Sequence, residues 1–120
     1  MSYAVSAALQ RAIFAQLAND LPLQALVAGA VYDALPTGVL PPLYVVLGSE
    51  DERDASDKTG RGAEHRFTVS DVTESAGFST AKEAAAAICD ALVDADLTLD
   101  RGTLVSLNFS KAKAARVGTG

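Results

Sequence analysis

Apolar side chains recur at every fourth position at the start of the chain and share one face of a predicted helix: Val5, Leu9, Ile13 and Leu17. Residues 19–22 interrupt this pattern. Asp20 suits the N-cap of a second short helix, because its carboxylate can accept a backbone N–H, and Pro22 is favoured in the first turn. Gly29 is predicted to end that helix. The chain is therefore expected to begin with two helices.

The middle of the chain has the pattern of β-strands. Residues 31–35 predict a short strand that ends at Pro36. Residues 43–47 are apolar on both faces, which is typical of a buried central strand. Residues 64–73 alternate between apolar and polar positions. Asp71 falls on the apolar face of that strand, and we expect a bulge or the strand end to break the alternation there.

The pattern changes again in the last third of the chain. An alanine-rich helix is predicted for residues 81–95, and Thr80 and Glu83 have the spacing of a capping box at its start. Residues 97–99 and 103–109 have the pattern of a hairpin-like pair of strands. The order of elements predicts an α+β fold, with a mostly antiparallel sheet of about four to five strands and two main helices packed on one face.

A polar segment separates the two longest predicted strands. Residues 49–63 contain no large apolar side chain and are expected to form a long loop that is either functional or mobile. Its carboxylates lack the spacing of a calcium-binding loop, and Arg53 and Lys58 weaken its attraction for cations. A solvated loop is therefore favoured over a metal site.

Charge and composition limit the functional classes. The 120-residue chain carries a net charge of −5 at pH 7, which argues against general binding to nucleic acid, because phosphates repel an acidic protein. One cysteine excludes an intrachain disulfide and a multi-cysteine zinc site. No secretory signal and no apolar run of membrane-spanning length is visible, so a cytoplasmic protein is expected. Alanine occupies 23 positions, which predicts a thin core that neighbouring subunits complete.

The candidates for catalysis are few. His65 is the only histidine and is interpreted as a surface residue of a strand, with no partner for acid–base chemistry. Cys89 lies in the apolar half of a helix and is interpreted as a buried, inert thiol. Tyr32 and Tyr44 lie on strands, where aromatic side chains usually pack or join interfaces. The residues alone indicate a small oligomeric domain without enzymatic activity, while a ligand-binding domain that uses His65 and the polar loop stays open.

Two neighbouring motifs are more specific. Residues 31–36 read V-Y-D-A-L-P, residues 42–48 read P-L-Y-V-V-L-G, and a polar segment, a strand and an alanine-rich helix follow. This order and spacing resemble the small phage tail-completion proteins, which are tail terminators of long-tailed phages and of phage-like gene transfer agents. The resemblance covers nearly the whole chain, as one tail-terminator-like domain over residues 1–120. Related chains continue with another strand after residues 116–118, so a C-terminal strand is expected to be missing.

The resemblance implies a structural function without a cofactor. Such proteins form a six-fold ring on the head-proximal end of the tail tube, stop tube polymerisation and offer a surface for head joining. The implied partners are other copies of the chain, the tail tube protein and the head–tail connector protein. DNA passes through the lumen without specific binding, and no membrane is involved. The chain would be a monomer in isolation, cytoplasmic during assembly and later part of the virion.

The same resemblance directs attention to an interface. The polar loop is a candidate segment that becomes ordered on assembly. Tyr44 and Arg66, which lie on the predicted strands on either side of the loop, are expected to belong to the same interface. The expected interface residues are Tyr44, Glu50, Asp51, Glu52, Arg53, Asp54, Asp57, Lys58, Arg61 and Arg66. Two alternatives remain at this point: a head-completion or connector protein of the same particle, and a small ligand-binding α+β domain.

Overall fold

The computed structural model describes residues 5–54, 63–74, 78–99, 104 and 106–109. Helices and strands are both present and confirm the α+β fold. Among the described residues the elements are α1 (Ser6–Ala18), α2 (Leu21–Val27), β1 (Val31–Tyr32), β2 (Leu43–Asp54), β3 (Ala63–Thr73) and α3 (Ser79–Leu92). None of the described helices is long and apolar enough to cross a membrane.

The described strands form one sheet in the order β1-β2-β3. β1 is parallel to β2, with Val31 opposite Val45, and β2 is antiparallel to β3 over most of their lengths. β2 is therefore the central strand of the described sheet, as its apolar residues predict. Val45 is completely buried at its centre.

A β-bulge divides β2 into two parts. Leu47 lies opposite Val69 and Glu50 lies opposite Phe67, so that two residues of β2 face one residue of β3. The extra residue turns Glu50 to the face that carries Leu47, because side chains otherwise alternate along a strand. A Cβ atom on Gly48 would lie 3.2 Å from the carbonyl oxygen of Thr68, so glycine permits the close approach of the strands here.

Two expectations about the strands are wrong. The segment expected as a polar loop over residues 49–63 is strand at both ends, because β2 continues through Asp54 and β3 begins at Ala63. Backbone pairing does not itself need apolar side chains, so the polar composition of these residues is misleading. Asp71 marks neither a bulge nor a strand end. It pairs with Val45 in regular register, and β3 runs to Thr73.

The helix ends are partly as expected. The Leu23 N–H donates to the Asp20 carboxylate at 3.0 Å, which confirms the N-cap of α2. Ala28, the C-cap of α2, has the left-handed conformation with φ of 51°, and Gly29 follows with φ of 89°. The capping box at Thr80 is wrong. α3 begins at Ser79, and its N-cap Phe78 offers no side-chain hydrogen bond, so Thr80 already lies inside the first turn.

The end of α3 and the following residues also differ from the prediction. α3 ends at Leu92, three residues before the expected limit, and the Asp94 N–H donates to the Leu107 carbonyl at 2.8 Å. Residues 97–99 and 106–109 contain no strand, so the described part of the expected hairpin is not a β-ladder. Residues 100–103 and 105 lie outside the described residues.

The three helices and the sheet share one hydrophobic core. Leu17 of α1, Leu23 of α2 and Val45 of β2 are completely buried in it. α3 contributes mainly small side chains, including Ala84 and Ala91. Alanine leaves little side chain between two backbones, so α3 can pack closely against its neighbours. A hydrogen bond from Gln16 Nε2 to the Ala91 carbonyl, at 2.9 Å, links α1 to the end of α3.

Candidate functional site

A partly buried polar cluster joins α1 to the sheet. The Ser6 hydroxyl donates to Oε1 of Glu50, and Oε2 of Glu50 lies 2.5 Å from Nδ1 of His65. The side chains of His65 and Glu50 are only 8% and 15% exposed. The interpretation of His65 as a surface residue without a partner is therefore wrong. The bulge explains the error, because it alone brings Glu50 to the face where His65 lies.

The order of the three groups determines what the cluster can do. In a nucleophilic relay the imidazole lies between the hydroxyl and the carboxylate and takes the hydroxyl proton. Here the described hydrogen bonds place the Glu50 carboxylate between Ser6 and His65. Ser6 therefore donates to an acceptor that already faces the imidazole, and this geometry is suited to holding α1 against the sheet. The carboxylate also lies at the first residue of α1, where the helix dipole favours negative charge.

Asp71 is a second polar group on the core side of the sheet. It lies opposite the fully buried Val45, and its Oδ1 atom is buried without a hydrogen-bond partner. Burial raises the pKa of Asp71 from 3.8 to about 6, since the charged form loses solvation there. The sequence correctly places this carboxyl group on the apolar face.

The expected interface residues fall into separate places. Residues 50–54 of β2 pair with residues 63–67 of β3, and we call this two-stranded segment the ribbon. Glu52, Arg53 and Asp54 are part of its backbone ladder, and Asp51 is exposed. Arg66 is 62% exposed and lies 3.7 Å from Glu64 of the same strand. Such an exposed pair adds little stability.

Two parts of the expected interface lie away from the described ribbon. Asp57, Lys58 and Arg61 are outside the described residues. Tyr44 lies near the start of β2, half-buried, with its ring centroid 6.0 Å from that of Tyr32. Tyr44 therefore packs within the sheet and is not brought together with the charged residues.

An exposed apolar loop is a feature that the sequence analysis did not single out. Residues 33–42 join β1 to β2, and we call them the 33–42 loop. Val39 is 99% exposed and Leu35 is 48% exposed. Their exposure could have been inferred from the sequence, because both residues are apolar and lie in a proline-rich segment where no helical or strand period gives them a buried face.

The remaining candidates for chemistry offer little. Cys89 is half-buried in α3, and the described residues contain no group of three histidine, cysteine or carboxylate side chains that could hold a metal ion. A small cleft between α1 and the bulge is lined by apolar residues such as Leu9 and Phe67, with Glu50 at its edge. It therefore adjoins the polar cluster already described.

Comparisons with known proteins identify the family. The profile of the family described as tail completion protein gp17 matches residues 11–120. A chain in a solved structure described as the virion of a native gene transfer agent (GTA) particle is 61% identical, with a TM-score of 0.91. That alignment covers 97% of this chain and 87% of the other. No curated protein gives a significant match. Since the family profile spans most of the chain, this protein belongs to the tail completion protein gp17 family, whose members are structural proteins of phage-like tails.

Proposed function

We propose that this protein is a tail terminator. It caps the head-proximal end of a phage-like tail tube as a six-fold ring, stops tube polymerisation and provides the surface to which the head joins. The observation that carries the proposal is the 61% identity to a chain of a gene transfer agent virion over 97% of this chain. An identity of 61% over nearly the whole chain supports a common structural role of the two chains.

The charge of the chain supports this proposal. Six copies with a net charge of −5 each carry a combined charge of −30. A ring of that charge repels the phosphates of DNA and does not retain it, so DNA can pass through the lumen without being bound. The partners in this proposal are other copies of the chain, the tail tube protein and the head–tail connector protein.

The proposed function needs no catalysis and no cofactor. The one cluster that combines a hydroxyl, a carboxylate and an imidazole has the carboxylate in the middle, which is the wrong order for activating Ser6. We therefore propose that the chain is not an enzyme, and that its single domain acts through its surfaces. The protein would be cytoplasmic during assembly and would remain in the finished particle.

The test is deletion of the gene in a strain that produces the particles, followed by electron microscopy. Loss of a terminator should give tubes of uncontrolled length that carry no heads, and expression of the wild-type chain should restore uniform, joined tails. Tubes of normal length without heads would contradict the proposal and identify a head-completion protein instead. Density for this chain should also be found between the tube and the connector in intact particles.

A further inference from the structure

One face of the ribbon is turned to α1. Glu50 lies opposite Phe67, and His65 lies two residues before Phe67 on β3, so these three side chains share a face. Glu50 accepts from Ser6 of α1, and Phe67 borders the cleft that Leu9 also lines. The described neighbours that alternate with them are exposed: Asp51, Glu64 and Arg66. The position of these exposed charges relative to the helices therefore depends on how the inner face is attached to α1.

Apolar packing between the ribbon and α1 is incomplete. The cleft lies between them, with walls from Ile13 of α1, Leu47 and Gly48 of β2, and Phe67 of β3. Apolar contact is also non-directional, whereas a hydrogen bond requires a defined distance and angle. The hydrogen-bonded cluster of Ser6, Glu50 and His65 is therefore the contact that can select one orientation of the ribbon.

The bulge is the place where the ribbon can turn. Regular pairs flank it, with Leu47 opposite Val69 before it and Glu50 opposite Phe67 after it. Two residues of β2 lie between these pairs where β3 has one, so the ladder is interrupted and the strand bends. A short irregularity between two regular ladders has the geometry of a hinge, because a few residues can absorb the change in backbone angles.

The start of α1 depends on the same carboxylate. Val5, the N-cap of α1, makes no side-chain hydrogen bond, and the first turn of the helix contains no acidic residue. Glu50 brings a negative charge to Ser6, the first residue of α1, from a distant strand. Negative charge is stabilising at a helix N-terminus. The order of the first turn and the position of the ribbon are thus linked through Glu50.

We propose that the Ser6–Glu50–His65 cluster is a latch that fixes the ribbon in one orientation relative to α1, with the bulge as its hinge. The closed latch holds the charged outer face of the ribbon in place, which reduces the entropy lost when a partner binds that face. When Glu50 loses its partners, the ribbon turns about the bulge and the first turn of α1 loses its stabilising charge. This device belongs to the isolated chain and does not depend on tail termination.

Distances between two spin labels in the purified full-length chain test the latch. Arg66→Cys places one label on the outer face of the ribbon, Ala86→Cys places the other on the exposed side of α3, and Cys89→Ser removes the native thiol. Double electron–electron resonance should give one narrow distance distribution while the latch is intact. Glu50→Ala should add a second distance in about a tenth or more of the molecules, because it removes both contacts of the latch.

Three variants separate the latch from a general loss of stability, each measured where circular dichroism shows a folded chain. Glu50→Gln keeps an oxygen for Ser6 and an amide that can pair with His65, so it should retain the single distance. Ser6→Ala removes one contact at lower cost and should show the second distance even if Glu50→Ala does not fold. Glu74→Ala removes an exposed carboxylate outside the ribbon and should change nothing. A lower unfolding midpoint with an unchanged distance distribution in Glu50→Ala and Ser6→Ala would overturn the latch.

Hydrogen exchange gives an independent measurement at α1. In a helix that begins at Ser6, the Gln10 N–H donates to the Ser6 carbonyl and reports on the first turn. Glu50→Ala should raise the exchange rate of the Gln10 amide by about tenfold more than that of the Ile88 amide, which lies inside α3. An equal change at both amides would indicate global unfolding and would overturn the link between the ribbon and α1.

Discussion

At the scale of single residues, two carboxyl groups on the core side of the sheet, those of Glu50 and Asp71, differ in their hydrogen bonding. Glu50 accepts from Ser6 and faces His65, so its carboxylate is well partnered although it is mostly buried. The Oδ1 atom of Asp71 is buried without a hydrogen bond. A partnered carboxylate stabilises the surrounding structure, whereas an unpartnered one reduces the free energy of unfolding whenever it is charged.

Asp71→Asn should stabilise the protein at neutral pH. The pKa of Asp71 is about 6 in the folded chain and 3.8 in the reference state, so the folded state holds the proton more tightly. The free energy of unfolding of the wild type should therefore fall as the pH rises from about 4 to about 6 and stay reduced above that. We expect a gain of about 1 to 2 kcal/mol for Asp71→Asn at pH 7, less than the full shift implies because the carboxyl group keeps some solvation.

Urea unfolding of both proteins at several pH values measures this effect. The difference between Asp71→Asn and the wild type should shrink toward acid pH, where Asp71 is protonated in both states. A difference that does not depend on pH would show that the charge of Asp71 is not its cause.

Glu50→Ala should destabilise the protein. The substitution removes the acceptor of the buried Ser6 hydroxyl and the carboxylate beside His65, and each lost partner of a buried polar group costs about 1 to 3 kcal/mol. Asp51→Ala is the matched control, because Asp51 is the exposed neighbour and should change stability by less than about 0.5 kcal/mol. Equal unfolding midpoints for the two variants would contradict a structural role of the cluster.

At the scale of elements, the helix caps and the β-bulge determine the path of the chain more than the secondary-structure propensities of its residues do. Asp20 joins α1 to α2 through a cap that its own position predicts. The bulge in β2 has the opposite character, since its place depends on how residues 47–50 meet β3. One extra residue there decides which side chains of the ribbon face the core.

Asp20→Ala should destabilise α2 and lower the free energy of unfolding by about 1 kcal/mol, because the Leu23 N–H loses its acceptor. Asp20→Asn keeps an oxygen at the same position and should retain most of the stability. Thermal unfolding followed by circular dichroism compares the two. An Asn variant as unstable as the Ala variant would show that the oxygen acceptor is not what matters.

At the scale of the whole molecule, the negative net charge opposes the association of one copy with another. Copies with a charge of −5 repel one another at long range, and salt screens this repulsion. If copies associate through surfaces that lack charge, self-association of the purified protein should increase between about 0.05 M and about 0.5 M NaCl. Sedimentation velocity measures the assembled fraction. Dissociation by salt would instead indicate that ion pairs hold the copies together.

Several features of the protein follow from the sequence alone. The spacing of apolar residues predicts α1, the Asp20–Pro22 pair predicts the start of α2, and residues 43–47 predict the central strand. The placement of Asp71 on an apolar face and the resemblance to tail-completion proteins are also correct. These features depend on residues that are close in the chain, or on motifs that can be read directly, so local chemistry is sufficient to predict them.

Other features were decided only by the tertiary structure. The ribbon forms because two polar segments pair through their backbones, and polar side chains carry no signal for such pairing. The Glu50–His65 contact joins residues 15 positions apart and depends on the bulge, and the Ser6–Glu50 hydrogen bond spans 44 positions. The exposure of Val39 likewise depends on where the ends of its loop are held. Contacts between distant residues are set by register and packing, and neither can be read from the periodicity of a single segment.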